Sequence, residues 1–103
     1  MTMQTDVLVS QPLGTSNTLK AQNGDLVRRC RIKAIYGTSA LAAGTATIYD
    51  GASTAGTVLM TVSTPTAGNQ GTFWLLMPGE GVLAKSGIYI ALTNVDSIMI
   101  IYG

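Results

Sequence analysis

Histidine is absent from this 103-residue sequence, and charge of either sign is scarce: six Lys and Arg, five Asp and Glu, 11% in all. The first absence removes the commonest general base and metal ligand. The second is less than half the ~25% of an average soluble domain, so Thr, Ser, Ala, Gly and apolar side chains must cover the surface. Such a surface suits a subunit occupied largely by partners, or one living outside the cytosol. Cysteine occurs once, at Cys30, which excludes an internal disulfide framework and a Cys-based zinc site. Apolar runs are short: "FWLLM" and "IMIIY" span five residues, against the ~20 needed to cross a bilayer, and no membrane partner is expected. The opening "MTMQTDVLVSQPL" places Asp6 early and has no basic segment before an apolar core. It reads as no signal peptide, so the expectation is synthesis in a cytosol, either as a soluble protein or as part of a larger assembly. A formal net charge of +1 points to no bulk electrostatic partner.

What is present is alternation of period two between turn signals. In "RCRIKAIY", Arg29 to Tyr36, the even positions Cys30, Ile32, Ala34 and Tyr36 are apolar; Arg29, Arg31 and Lys33 are cationic, and Ile35 breaks the pattern. Further strands are read at Thr45 to Tyr49, Thr57 to Val62, Thr72 to Met77, the short "VLA", Ile88 to Thr93 and Ile98 to Tyr102. Asn23-Gly24 suits a type I′ hairpin turn, and Asp50-Gly51, "PGEG" and Ser86-Gly87 mark others. The only helix-friendly run, "SALAAGTA", is cut by Gly44. About eight or nine short strands at this spacing predict an all-β fold, an antiparallel β-sandwich or a barrel, with the sandwich preferred. One domain spans residues 1–103, in which residues 1–13 form an N-terminal arm that completes the molecule's own sheet or adds a strand to a neighbour. One parity from each strand gives the expected core: Ile32, Ile48, Val58, Met60, Phe73, Leu75, Ile90, Leu92, Ile98 and Ile100.

Catalytic patterns are missing. Asp25, Asp50, Glu80 and Asp96 sit in or beside turn signals, where carboxylates cap local backbone groups, and nothing singles out a facing pair of acids such as a glycosidase needs. "PGEGV" fails as a phosphate loop: Glu80 would repel phosphate and a strand follows where a helix is needed. Cys30 reads as a buried, inert thiol. No enzyme, no cofactor and no metal are therefore expected.

Four of the six basic residues, Arg28, Arg29, Arg31 and Lys33, fall within one short stretch. Platforms that bind nucleic acid interleave basic side chains with stacking aromatics. The cationic face of this strand offers none by parity, and specific nucleic-acid recognition is not expected. Three like charges at alternate positions repel unless a counter-charge lies across the strand or an interface. Arg29, Arg31 and Lys33 are thus the candidate docking residues, with Trp74 as the apolar anchor. Apolar residues on both parities of "TFWLLM" and "SIMIIY" further predict self-association, because a strand covered on both faces reads as a continuous apolar run.

The "TDVL" opening, the "RCRIKAIYG" strand, the "IYDG" turn and the "MPGEGVLAKSGIYIALTNVDSIMIIYG" ending together resemble the small all-β head-decoration (cement) proteins of tailed bacteriophages. The resemblance implies a β-sandwich or jelly-roll-like structural virion subunit, made in the host cytoplasm and located on the head surface. It also implies a homotrimer that binds the lattice of the major capsid protein. A tail, fibre or neck component, or a carbohydrate-binding sandwich, is the alternative.

Overall fold

The computed structural model describes residues 8–40, 43–64, 72–79 and 81–103. Asp6 and Glu80 lie outside the described residues, as does the first part of the arm. Nine strands follow one another: β1 (Leu8–Val9), β2 (Asn17–Thr18), β3 (Cys30–Ser39), β4 (Gly44–Asp50), β5 (Thr57–Thr64), β6 (Thr72–Leu76), β7 (Val82–Ala84), β8 (Ile88–Thr93) and β9 (Val95–Tyr102). All pairings are antiparallel, and no helix occurs among the described residues. One sheet has the order β1-β9-β3-β6, with β7 also paired to β3; the other has the order β2-β8-β4-β5. The molecule is a β-sandwich.

Alternating side chains seal the two sheets. Ile32, Ile35, Ile98 and Ile100 from the first sheet meet Ala46, Ile48, Ile88 and Ile90 from the second in one buried cluster. Burying each isoleucine side chain contributes roughly 1.5–3 kcal/mol relative to exposure, and no described buried side-chain polar atom is left without a partner. The described part of the arm lies on its own molecule: Leu8 faces Tyr102, Val9 faces Ile101 and Leu13 bridges to Ile98. Buried Ser10 fastens it, its Oγ accepting the Ile100 N–H at 3.0 Å.

Two β-bulges correct the expected core. Along β3, Ile32 faces Tyr102 but Ala34 faces Ile101, so Lys33 is an extra residue that reverses the parity after it. Ile35, the apparent break in the alternation, is therefore fully buried, while Tyr36 turns outward. Along β5, Met60 faces Ile48 but Val58 faces Tyr49, so Leu59 is extra. Val58, expected inside, is 53% exposed. Leu75 keeps the inward parity opposite Ile35 but lies on an edge strand and stays partly exposed. Met60, Phe73 and Leu92 pack against the core and are only partly buried; Leu19 and Ile88, outside the expected set, are fully buried.

The Asn23-Gly24 hairpin forms with a different turn. The Gly24 N–H donates to Ala21 O at 2.9 Å and the Ala21 N–H to Asp25 O at 2.8 Å, and only Gly24 has positive φ, at 94°. This is a three-residue loop, a type I turn followed by a left-handed glycine, and not type I′. The Asn23 side chain favours it by accepting the Asp25 N–H at 3.1 Å.

Asp50 binds farther away than a local cap. Its Oδ1 accepts the Ser86 N–H at 2.8 Å and its Oδ2 the Lys85 N–H at 3.0 Å. The end of β4 is thereby tied to the turn that carries the chain from β7 in one sheet to β8 in the other.

Candidate docking surface

Register places the outer face of the first sheet residue by residue. The inward set Tyr102, Ile100 and Ile98 is buried, so Ile101 and Met99 of β9 point away from the core. Their partners across β3 are Ala34 and Tyr36, whose own partners on β6 are Leu76 and Trp74. Val9 of β1 completes the first row opposite Ile101. Two adjacent rows on this face are therefore uncharged and almost wholly apolar: Val9, Ile101, Ala34 and Leu76, then Met99, Tyr36 and Trp74. The next row, Ser97, Thr38 and Thr72, is polar and closes the patch on one side.

Trp74 is 49% exposed and Leu76 70%. The Tyr36 and Trp74 rings meet edge to face, with centroids 5.8 Å apart and an interplanar angle of 69°. The strand ladder explains the contact. The Met77 N–H donates to Lys33 O at 2.9 Å, which makes Lys33/Met77, Ile35/Leu75 and Gly37/Phe73 the hydrogen-bonded pairs of this antiparallel ladder. Tyr36 and Trp74 are then a non-hydrogen-bonded pair, the kind whose side chains approach most closely. Below them, the Phe73 ring packs over Gly37, whose hydrogen leaves the room for it: a Cβ there would lie 2.6 Å from Phe73 Cζ and 2.8 Å from Ser97 O.

The basic stretch borders the opposite side of the patch but does not act as one stripe. Arg31 is exposed on the outer face, beside the backbone pair it forms with Gly103 (2.8 and 3.0 Å). Lys33 sits on the bulge, half-buried, with its aliphatic stem beside Gly81. Arg29 belongs to the bend before β3 and not to the strand. Its charge helps hold the Asp50 carboxyl below the ordinary value, after the two backbone N–H donors and Lys85. Arg29 thus acts on Asp50 within the molecule, as the smallest of the influences on that carboxyl. Of the four expected docking residues, Arg31 and Trp74 share one face, with Lys33 on the bulge between them, and Tyr36 joins that face against the parity expectation.

No protein-family model, no curated protein and no solved structure matches the chain.

The remaining chemistry is sparse. Among the described residues no three His, Cys, Asp or Glu come together in a way that could hold a metal ion. Cys30 is buried; burial, then the Asp50 charge, pushes its thiol up to about 11, which keeps it protonated and unreactive at neutral pH. Of "PGEG", the Gly81 N–H donates to Pro78 O at 3.2 Å, and Glu80 lies outside the described residues. Aromatic side chains are spent outside the core more than inside it. Tyr102 is buried and Phe73 packs on the core, whereas Tyr36 with Trp74, and Tyr49 with Tyr89, form one pair on the outer face of each sheet.

Proposed function

We propose that this chain is a structural, non-catalytic docking subunit, a decoration (cement) protein on the head lattice of a tailed bacteriophage. The outer face of β9, β3 and β6 is its docking surface. The observation that carries the reading is the pair of uncharged rows holding the exposed Tyr36 and Trp74, bordered by Arg31 and Lys33. Apolar patches of this kind, rimmed by polar residues, mark interaction sites, and interface energy concentrates in central aromatic anchors. The phage head as the partner rests on the resemblance of the sequence pattern. The aromatic pair supplies the attachment energy and the basic margin orients it, because an exposed ion pair contributes only ~0–1 kcal/mol.

Binding to undecorated particles tests this. Trp74→Ala should weaken occupancy by at least about tenfold, the factor that corresponds to ~1.4 kcal/mol. Arg31→Ala should weaken it by less and flatten its dependence on salt. Unchanged occupancy of a correctly folded Trp74→Ala protein rules the surface out.

The exposed edge-to-face pair also favours a second reading, a carbohydrate-binding sandwich in which Trp74 stacks on a sugar ring. Quenching or a shift of Trp74 fluorescence by oligosaccharides, without binding to particles, would select it.

A further inference from the structure

A sheet edge exposes unpaired peptide groups, and folded proteins protect such edges with charge, proline, bulges or very short strands. Four of the five edge strands here follow that rule: β1 and β2 are two residues long, β7, which pairs only with β3, is three, and β5 carries the bulge at Leu59. β6 does not. Its five residues, Thr-Phe-Trp-Leu-Leu, contain no charge and no proline, and their register with β3 is unbroken. Phe73 and Leu75 spend their peptide groups on Gly37 and Ile35, as the Met77 to Lys33 bond requires. The N–H and C=O of Thr72, Trp74 and Leu76 therefore point away from β3, and among the described strands none pairs with them.

We propose that β6 joins two copies of this chain by antiparallel β6–β6 pairing about a two-fold axis at Trp74. The occupant follows from three features of the edge. Its outward peptide groups are symmetric about Trp74. An antiparallel copy therefore sets Thr72 opposite Leu76 of the second copy and Trp74 opposite Trp74 of the second copy, each pair exchanging two N–H···O bonds. The strand has no charge, so identical edges meet without repulsion. The Ala34 to Leu76 register places Arg31 and Lys33 toward the Leu76 end, and the two-fold axis carries the two cationic margins to opposite ends of the joined edge. A closed two-fold contact of this kind is isologous. It yields a dimer in place of the trimer that the resemblance implies.

This inference does not depend on the virion reading, but it extends it. Pairing makes one sheet of the two, and the row Met99, Tyr36, Trp74 runs on into the same row of the second copy. A partner lattice then meets two linked docking faces, whose second contact forms at high effective concentration.

Native mass measurement and sedimentation of the full chain at micromolar to tens of micromolar concentration should give a dimer. Leu76→Pro removes an outward N–H and no bond to β3, a position where an edge strand tolerates proline; it should weaken the dimer by at least about tenfold. Trp74→Lys, which sets like charges opposite each other at the axis, should do the same. Amide hydrogen exchange on the unaltered protein reads the contact independently of any variant. The Thr72, Trp74 and Leu76 amides should be protected at high concentration and lose protection on dilution, while Phe73 and Leu75 stay protected throughout. A monomer at tens of micromolar overturns the proposal, as does a trimer or a dimer that withstands both variants. Concentration-independent exchange at these three amides, or pairing of β6 with a strand of another protein, overturns it too. Particle binding by a protein that stays monomeric would sink the dimer and leave the docking surface standing.

Discussion

Gly37 and Asp50 each hold a position for a reason that propensity alone does not supply. Gly37 has no left-handed backbone to excuse it; it is there because the Phe73 ring and the Ser97 carbonyl occupy the space of a Cβ. Gly37→Ala should destabilise the fold by about 1–3 kcal/mol, the range for overpacking a filled site, as measured by denaturant unfolding. Asp50 works through two backbone donors on the far side of a turn, and these hold its carboxyl below the ordinary 3.8. A carboxyl whose folded pKa is depressed contributes stability that is complete above its unfolded value, near pH 4. That stability is lost as pH falls through the lower folded value. Thermal melts between pH 5 and pH 2 should show a fall that Asp50→Asn reduces, with the variant already less stable at pH 7. The Arg29 charge adds to the same effect at smaller size, which ties part of the basic stretch to the fold and leaves Arg31 to face outward.

At the scale of the strand, bulges decide which face a side chain meets. Ile35 and Val58 swap the roles that strict alternation gives them: Ile35 lies two residues after the extra Lys33, and Val58 immediately before the extra Leu59. Ile35→Ala should therefore cost about 2–5 kcal/mol, as for other fully buried aliphatics, whereas Val58→Ala should stay within about 0.5 kcal/mol. The reverse ranking would place the bulges elsewhere. The same two residues show what the sequence made legible. Turn pairs and alternation located the strands and the sandwich, because those signals are local. The extra residue in a ladder is a property of two strands at once, and the sequence of β3 marks it only as an apolar residue out of phase. That displaced isoleucine is the one signal that could have placed Tyr36 on the docking face. Val9, Met99, Ile101 and Leu76 join Tyr36 there through pairings between distant segments, which no single stretch displays. Lys33 falls on the bulge itself, while Trp74 was legible as a candidate by its rarity and Arg31 by parity. Arg29 was not, since its place in a bend ahead of the strand depends on where β7 and β9 begin their pairing with β3.

For the whole molecule, the arrangement separates two tasks. The inner faces carry the stability in aliphatic side chains, and the outer face of each sheet carries an aromatic pair that the core does not need. Trp74→Ala should consequently leave the unfolding midpoint of the dilute protein nearly unchanged, within about 0.5 kcal/mol, while attachment to a partner surface falls. A matching loss of both would make Trp74 a structural residue. The strand order has its own outcome in the cell. β1 closes on β9 and β2 on β8, so Leu8 and Asn17 leave the ribosome well before Tyr102 and Ile90 exist to receive them. Each sheet waits for its last strand, and the loops to be closed are nearly as long as the chain, a topology that folds in roughly milliseconds to seconds and not faster. Until β9 has been made, the row of Trp74 and Leu76 has no finished sheet behind it. On a polysome, the free outer edge of a β6 strand would then stand close to the same edge of a neighbouring nascent chain, before either sheet is complete.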